Sequence, residues 1–190
     1  MSCSVKIIEL DFNLTSVLMN YRHLLNVYCP RLATASHFCL LGLLLSFGAC
    51  DSNRVFEDNK DFKDRTWKIT ESAQLDFVIA DTTQRYNLYL DVRNSLDYPY
   101  SRLFVNYNLY DPSGQEVSKK MIMEYLFDQK TGKPKGSSSL GDVYDHRFIF
   151  LHNYSFPKPG KFKINFEQFM RQDTLPGILA VGLRVEVIEK

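Results

Sequence analysis

One thiol in this chain is placed for covalent modification. Cys50 closes an apolar run, Phe38-Cys39-Leu40-Leu41-Gly42-Leu43-Leu44-Leu45-Ser46-Phe47-Gly48-Ala49, and polar Asp51-Ser52-Asn53-Arg54 follows at once. Gly48 and Ala49 are the small side chains a signal peptidase needs just before its cut. The layout is that of a bacterial lipoprotein export signal. Cleavage after Ala49 makes Cys50 the first mature residue, and acyl chains such as palmitate join it through the thiol and the new amine. The run is about half of the roughly 20 residues needed for a membrane-spanning helix. It is no ordinary core helix either, because it has no polar face until it stops.

Other chemistries are weaker on paper. His146 and His152 with Asp142 and Asp145 are metal-capable types, but along an extended strand positions 142 to 152 spread over more than about 30 Å. They read as solvated strand or loop histidines. Ser137, Ser138 and Ser139 lack the Gly-x-Ser-x-Gly elbow that exposes a nucleophile. Gly132, Gly136 and Gly141 accompany no strand-to-helix transition, so they form no phosphate cradle. The residues therefore assign no catalytic group, metal or cofactor.

The cysteines bound the folding problem. Of Cys3, Cys29, Cys39 and Cys50, only the last survives cleavage. An exported body without a cysteine pair must be held by its core. Residues 1–49 are read as signal peptide, with an ordinary leader beginning at Met19 and residues 1–18 as a mis-assigned start. Residues 50–64, polar apart from Phe56 and Phe62, read as the lipidated cysteine and a tether, with docking of those two rings on the body as the alternative; residues 65–190 read as one domain. The whole chain has 23 basic and 22 acidic side chains. The leader holds Lys6, Arg22 and Arg31 against Glu9 and Asp11, so the remainder balances. Neutrality argues against a nucleic-acid partner.

Two-residue alternation dominates after the tether. Tyr86, Leu88, Leu90 and Val92 fall on one face, Leu103, Val105, Tyr107 and Leu109 repeat the pattern, and Phe162, Ile164 and Phe166 do so again. Period two over such lengths is a strand with one buried face. Asp111-Pro112-Ser113-Gly114 is a turn signal, and 128–141 reads as a long exposed loop. About eight short strands with turns at this spacing predict an all-β fold, an antiparallel two-sheet sandwich, with a closed barrel as the alternative. Tyr89 and Tyr110 lie opposite the aliphatic stripes, where exposed rings can stack on sugars; aromatics filling a core are the competing reading.

Several ordered segments resemble the GldH gliding-motility lipoproteins of the Bacteroidetes. They are Cys50-Asp51-Ser52-Asn53-Arg54-Val55-Phe56, Tyr86 to Asn94, Tyr98-Pro99-Tyr100 and Gly141-Asp142-Val143-Tyr144-Asp145. The most specific are Phe156-Pro157, Phe166-Glu167-Gln168-Phe169-Met170-Arg171 and Leu175-Pro176-Gly177-Ile178. The resemblance implies a non-enzymatic protein anchored in the cell envelope through Cys50. It would face the periplasm from the inner or the outer membrane and work with other proteins of the gliding and secretion apparatus. Tyr98, Tyr100, Gln168 and Arg171 are the candidate partner contacts. An equal reading makes Gln168 and Arg171 partners for buried backbone groups. A carbohydrate-binding envelope lipoprotein using Tyr89 and Tyr110 is the alternative function.

Overall fold

The computed structural model describes residues 51–188. Cys50, and residues 1–49 that the sequence reads as a signal peptide, lie outside the described residues. The strands are β1 (Arg54–Asp61), β2 (Thr66–Lys68), β3 (Ala73–Ile79), β4 (Tyr86–Ser95), β5 (Arg102–Tyr110) and β6 (Glu116–Tyr125). They continue as β7 (Ser137–Leu140), β8 (Val143–Tyr154), β9 (Gly160–Gln168), β10 (Thr174–Pro176) and β11 (Ile178–Val187). A single 3-10 turn, Lys63–Arg65, separates β1 from β2.

Every pairing is antiparallel. Five strands form one sheet in the order β1-β11-β4-β8-β7, four form another in the order β3-β9-β5-β6, and β10 with β2 makes a small ribbon. The two larger sheets stack as a sandwich. The stripes expected from sequence are the ones buried: Leu88, Leu90 and Val92 on one inner face, and Leu103, Val105, Leu109, Phe162, Ile164 and Phe166 on the other. Aromatic rings fill the layer between. Phe156, from the β8–β9 connection, lies 4.7 Å from Phe162 and 5.4 Å from Tyr86, centroid to centroid. Edge-on contacts of this kind add to the area the rings remove from water.

Two boundaries differ from the sequence reading. The segment taken as a tether is a strand. β1 pairs with β11 over most of its length, Phe56 packs on Phe77 at 5.9 Å, and buried Phe62 stacks on Trp67 at 5.0 Å. The compact unit accordingly begins at Ser52, not at residue 65. Exposed charged residues hide the strand in the sequence, because β1 is an edge strand whose Glu57, Asp58, Lys60 and Asp61 face water. Such charge is a common guard against edge-to-edge pairing.

The expected 128–141 loop is likewise shorter. The Asp128 carboxylate accepts from the amides of Lys130 and Thr131 at 3.1 and 2.9 Å. Phe127 bridges to Pro134, and β7 then pairs with the start of β8. A serine run gives no apolar alternation, so β7 left no period to read.

Candidate docking surface

The antiparallel order gives the sandwich two ends with different chemistry. At the near end β1 begins, β3 ends, β4 begins and β11 ends. At the far end β4 finishes at Ser95, β5 starts at Arg102, β6 finishes at Tyr125 and β9 finishes at Gln168. The connections 96–101, 126–136 and 169–173 therefore share the far end. Loops at strand ends are where rigid β scaffolds present contacts.

The far-end loops are held from inside. The Tyr98 ring is buried, with its hydroxyl donating to the carbonyl of Arg102 at 2.7 Å. It stacks on Phe127 at 6.4 Å and meets the Tyr100 ring edge-on at 5.7 Å. Burial, with the nearby Tyr100 phenol, raises the Tyr98 pKa well above that of a free phenol. Gln168 is buried too. Its carbonyl accepts from the Met170 amide at 2.8 Å, and its amide donates to the Gln172 carbonyl at 2.8 Å. These bonds satisfy two backbone groups, the Met170 amide and the Gln172 carbonyl, that a tight loop cannot pair by itself.

What the clamp projects is apolar and cationic. Phe169 is 59% exposed and is fixed by its amide, which donates to the Phe104 carbonyl at 2.8 Å. Leu96 is 51% and Ile69 is 50% exposed. Arg102 lies over the Phe104 ring at 5.7 Å, and Met123 is its exposed cross-strand neighbour. Arg171 is exposed. Among the described residues neither arginine takes part in an ion pair. Of the four contacts expected from sequence, Arg171 and half-buried Tyr100 reach the surface, whereas Tyr98 and Gln168 brace it.

Sequence reasoning missed Leu96, Ile69 and the outward phase of Met121 and Met123. Leu96 and Ile69 sit alone in loops and follow no period. On β6 only Ile122 is buried, so the methionines of the alternation point to solvent.

The outer face of the five-stranded sheet carries a different pattern. Glu57 of β1 accepts from Arg147 of β8 and Arg184 of β11, each at 2.7 Å, and from Arg54 at 2.9 Å. Arg147 reaches Asp91 at 2.7 Å, and Arg93 reaches Asp145 at 2.7 Å. Burial pushes the Glu57 carboxyl up, but the Arg54 hydrogen bond and the charges of Arg184 and Arg147 outweigh it and hold it below its usual value. Ala180 and Gly182 floor the resulting groove. Tyr89 stands on this face, half-buried beside Asn87, whose amide lies 3.4 Å from its hydroxyl. Tyr110 stands at the near end of the other sheet, opposite Lys163. The two rings do not share a face.

His146 corrects the sequence reading of a solvated histidine. It points inward from β8 opposite Val92, is 6% exposed, and stacks on Phe148 at 5.6 Å. Gly136 makes room for it: a side chain there would begin 2.8 Å from His146 Nε2. Burial lowers its pKa to about 4, against a small opposing pull from Asp145. Neighbouring Asp145 points outward to Arg93, so the pair does not converge. His152 is exposed. Among the described residues no three metal-capable side chains gather at one place.

The arrangement defines a class: an all-β sandwich with an apolar and cationic loop end. The chain belongs to the GldH lipoprotein family, whose sequence model matches residues 54–185. It is 28% identical over 158 residues to a gliding motility lipoprotein GldH homolog of Christiangramia forsetii, an alignment covering 80% of this chain and 94% of the relative. It is equally 28% identical to gliding motility lipoprotein GldH of Flavobacterium johnsoniae, over 80% of this chain and 95% of that one. It is thus a GldH-like, membrane-associated lipoprotein. Among solved structures, the K1 cleaved adhesin domain of Lys-gingipain from Porphyromonas gingivalis W83 aligns over 75% of this chain and 88% of its own, at 9% identity and a TM-score of 0.31. That likeness is too distant to bear on function.

Proposed function

We propose that this protein is a non-catalytic, lipid-anchored component of the envelope machinery for gliding motility and its associated secretion, acting through protein–protein contacts made by its far end. Acylation of Cys50 supplies the anchor and the periplasm is the compartment it faces. Each acyl chain contributes about 0.8 kcal/mol per buried methylene, so two or three chains hold the protein stably on the bilayer. One observation carries the contact surface: the Gln168 clamp spends two hydrogen bonds to hold Phe169 outward beside unpaired Arg171. Phe169 is not a lone exposed ring but shares this end with exposed Leu96 and Ile69, and apolar groups gathered at one surface mark an interaction site.

The family supports the envelope setting, since both curated relatives are named for gliding motility. The carbohydrate-binding reading lacks a platform, because Tyr89 and Tyr110 lie on different sheets. The test is a photo-activatable phenylalanine analogue at position 169 in living cells, with the same analogue at Met121 as a control. Specific adducts with envelope proteins from position 169 are expected. Adducts with polysaccharide, or protein adducts no stronger than those at Met121, overturn the proposal.

A further inference from the structure

We infer that the near end of the sandwich lies directly on the lipid headgroups, with Val55 and Val78 as its contact residues. The inference deepens the proposal above and rests on its reading of Cys50 as the acylated residue. Its warrant is chain length. The Val187 amide donates to the carbonyl of Asn53 at 2.8 Å, which pins Asn53 to the end of β11. Only Asp51 and Ser52 separate that pinned point from Cys50, and the three Cα-to-Cα steps fully extended reach about 11 Å. The headgroup layer on each side of a bilayer is itself about 5–8 Å thick. An acylated Cys50 sits at that layer, so no free tether remains to lift the domain away.

The surface brought down is suited to it. Val55 is 43% and Val78 is 59% exposed, and together with Ile188 they line one open hollow at this end. Each valine is followed or preceded in its strand by an inward ring, half-buried Phe56 and buried Phe77, whose centroids lie 5.9 Å apart. Around the hollow run Gln84 and Asn53, and exposed Arg85, whose carbonyl accepts from the Ile188 amide at 2.8 Å. Small apolar side chains inside a polar rim suit the interface, where apolar groups enter the acyl boundary and polar groups stay with the headgroups. The opposite end, marked by Leu96, then stands about 30 Å away along β4. Orientation is thereby fixed: the docking loops face away from the bilayer, and the contact at the near end restrains the tilt.

The experiment uses the full lipidated protein purified from cells and placed in phosphatidylcholine vesicles containing a nitroxide-headgroup lipid. Cys50 is the sole cysteine of the mature chain, so V55C, V78C and L96C can each be labelled alone with a fluorophore. Quenching at positions 55 and 78 should exceed that at 96 several-fold. Equal quenching at all three, or stronger quenching at 96, overturns the inference while leaving the anchor intact. A thiol reagent that labels the unsubstituted protein reveals a free Cys50 sulfur and overturns the anchor, and the inference with it.

Discussion

Gly177 and Tyr98 meet backbone to side-chain position. A Cβ on Gly177 would lie 2.5 Å from the Tyr98 amide nitrogen, and Gly177 also holds a φ of +81°. Its own carbonyl accepts from Ser95, and its amide donates to Arg65. The Leu175-Pro176-Gly177-Ile178 motif thus crosses directly beneath the loop that ends in Tyr100. Gly177→Ala should destabilise the domain by about 3 kcal/mol, combining left-handed strain with displacement of Tyr98. Thermal unfolding should fall by several degrees, and a melting point unchanged from wild type would refute the contact.

His146 gives the protein an acid-sensitive core. Its folded pKa of about 4 lies below the ordinary 6.5, so the unfolded chain binds the proton first as pH falls. The cost of keeping the ring neutral is absent above pH 6.5 and grows downward until about pH 4. Over that window it amounts to about 3 kcal/mol. Urea titrations should therefore show stability falling from pH 6.5 towards 5, before most carboxylates titrate. His146→Leu should flatten that portion of the profile; an identical slope in the variant would rule out His146 as the cause.

Glu57 ties three strands together on the outer face of the larger sheet. Removing it leaves Arg184, whose side chain is 8% exposed, next to Arg147 without the carboxylate they share. Glu57→Gln should cost about 1–2 kcal/mol, less than a fully buried pair because Glu57 and Arg147 are partly solvated. A double-mutant cycle with Arg184→Met checks it: the two changes should be strongly non-additive. Additive effects would show that the carboxylate and guanidinium act independently.

The contact proposed at Phe169 can be tested apart from folding. Phe169→Asp replaces an exposed ring and leaves the Gln168 hydrogen bonds and the Phe169 amide in place, so stability should change by no more than about 0.5 kcal/mol. Gliding on agar and recovery of crosslinked partners should both be lost. A variant that glides normally would place the contact elsewhere.

The sequence was most legible where one face of a strand is buried. Leu88-Leu90-Val92 and Phe162-Ile164-Phe166 announce their strands because period two is imposed by the core itself. β1 was illegible for the opposite reason, as an edge strand burying little of its length. At the far end, sequence could place Gln168 and Arg171 together but not tell bracing from display. That distinction depends on which backbone groups fall within reach of the Gln168 amide, and only the three-dimensional loop decides it. The Phe156-Pro157 motif behaves likewise: as sequence it marks a bend, as structure it seats a ring among Tyr86, Tyr154 and Phe162.

The pairing of Arg54–Asp61 with Ile178–Val187 also governs when folding can finish. β1 waits for β11, so ribosomes and export channels handle a chain whose larger sheet stays open until β11 has emerged. A chain that stops before Ile178 leaves β1 without its partner, and quality-control proteases receive the product.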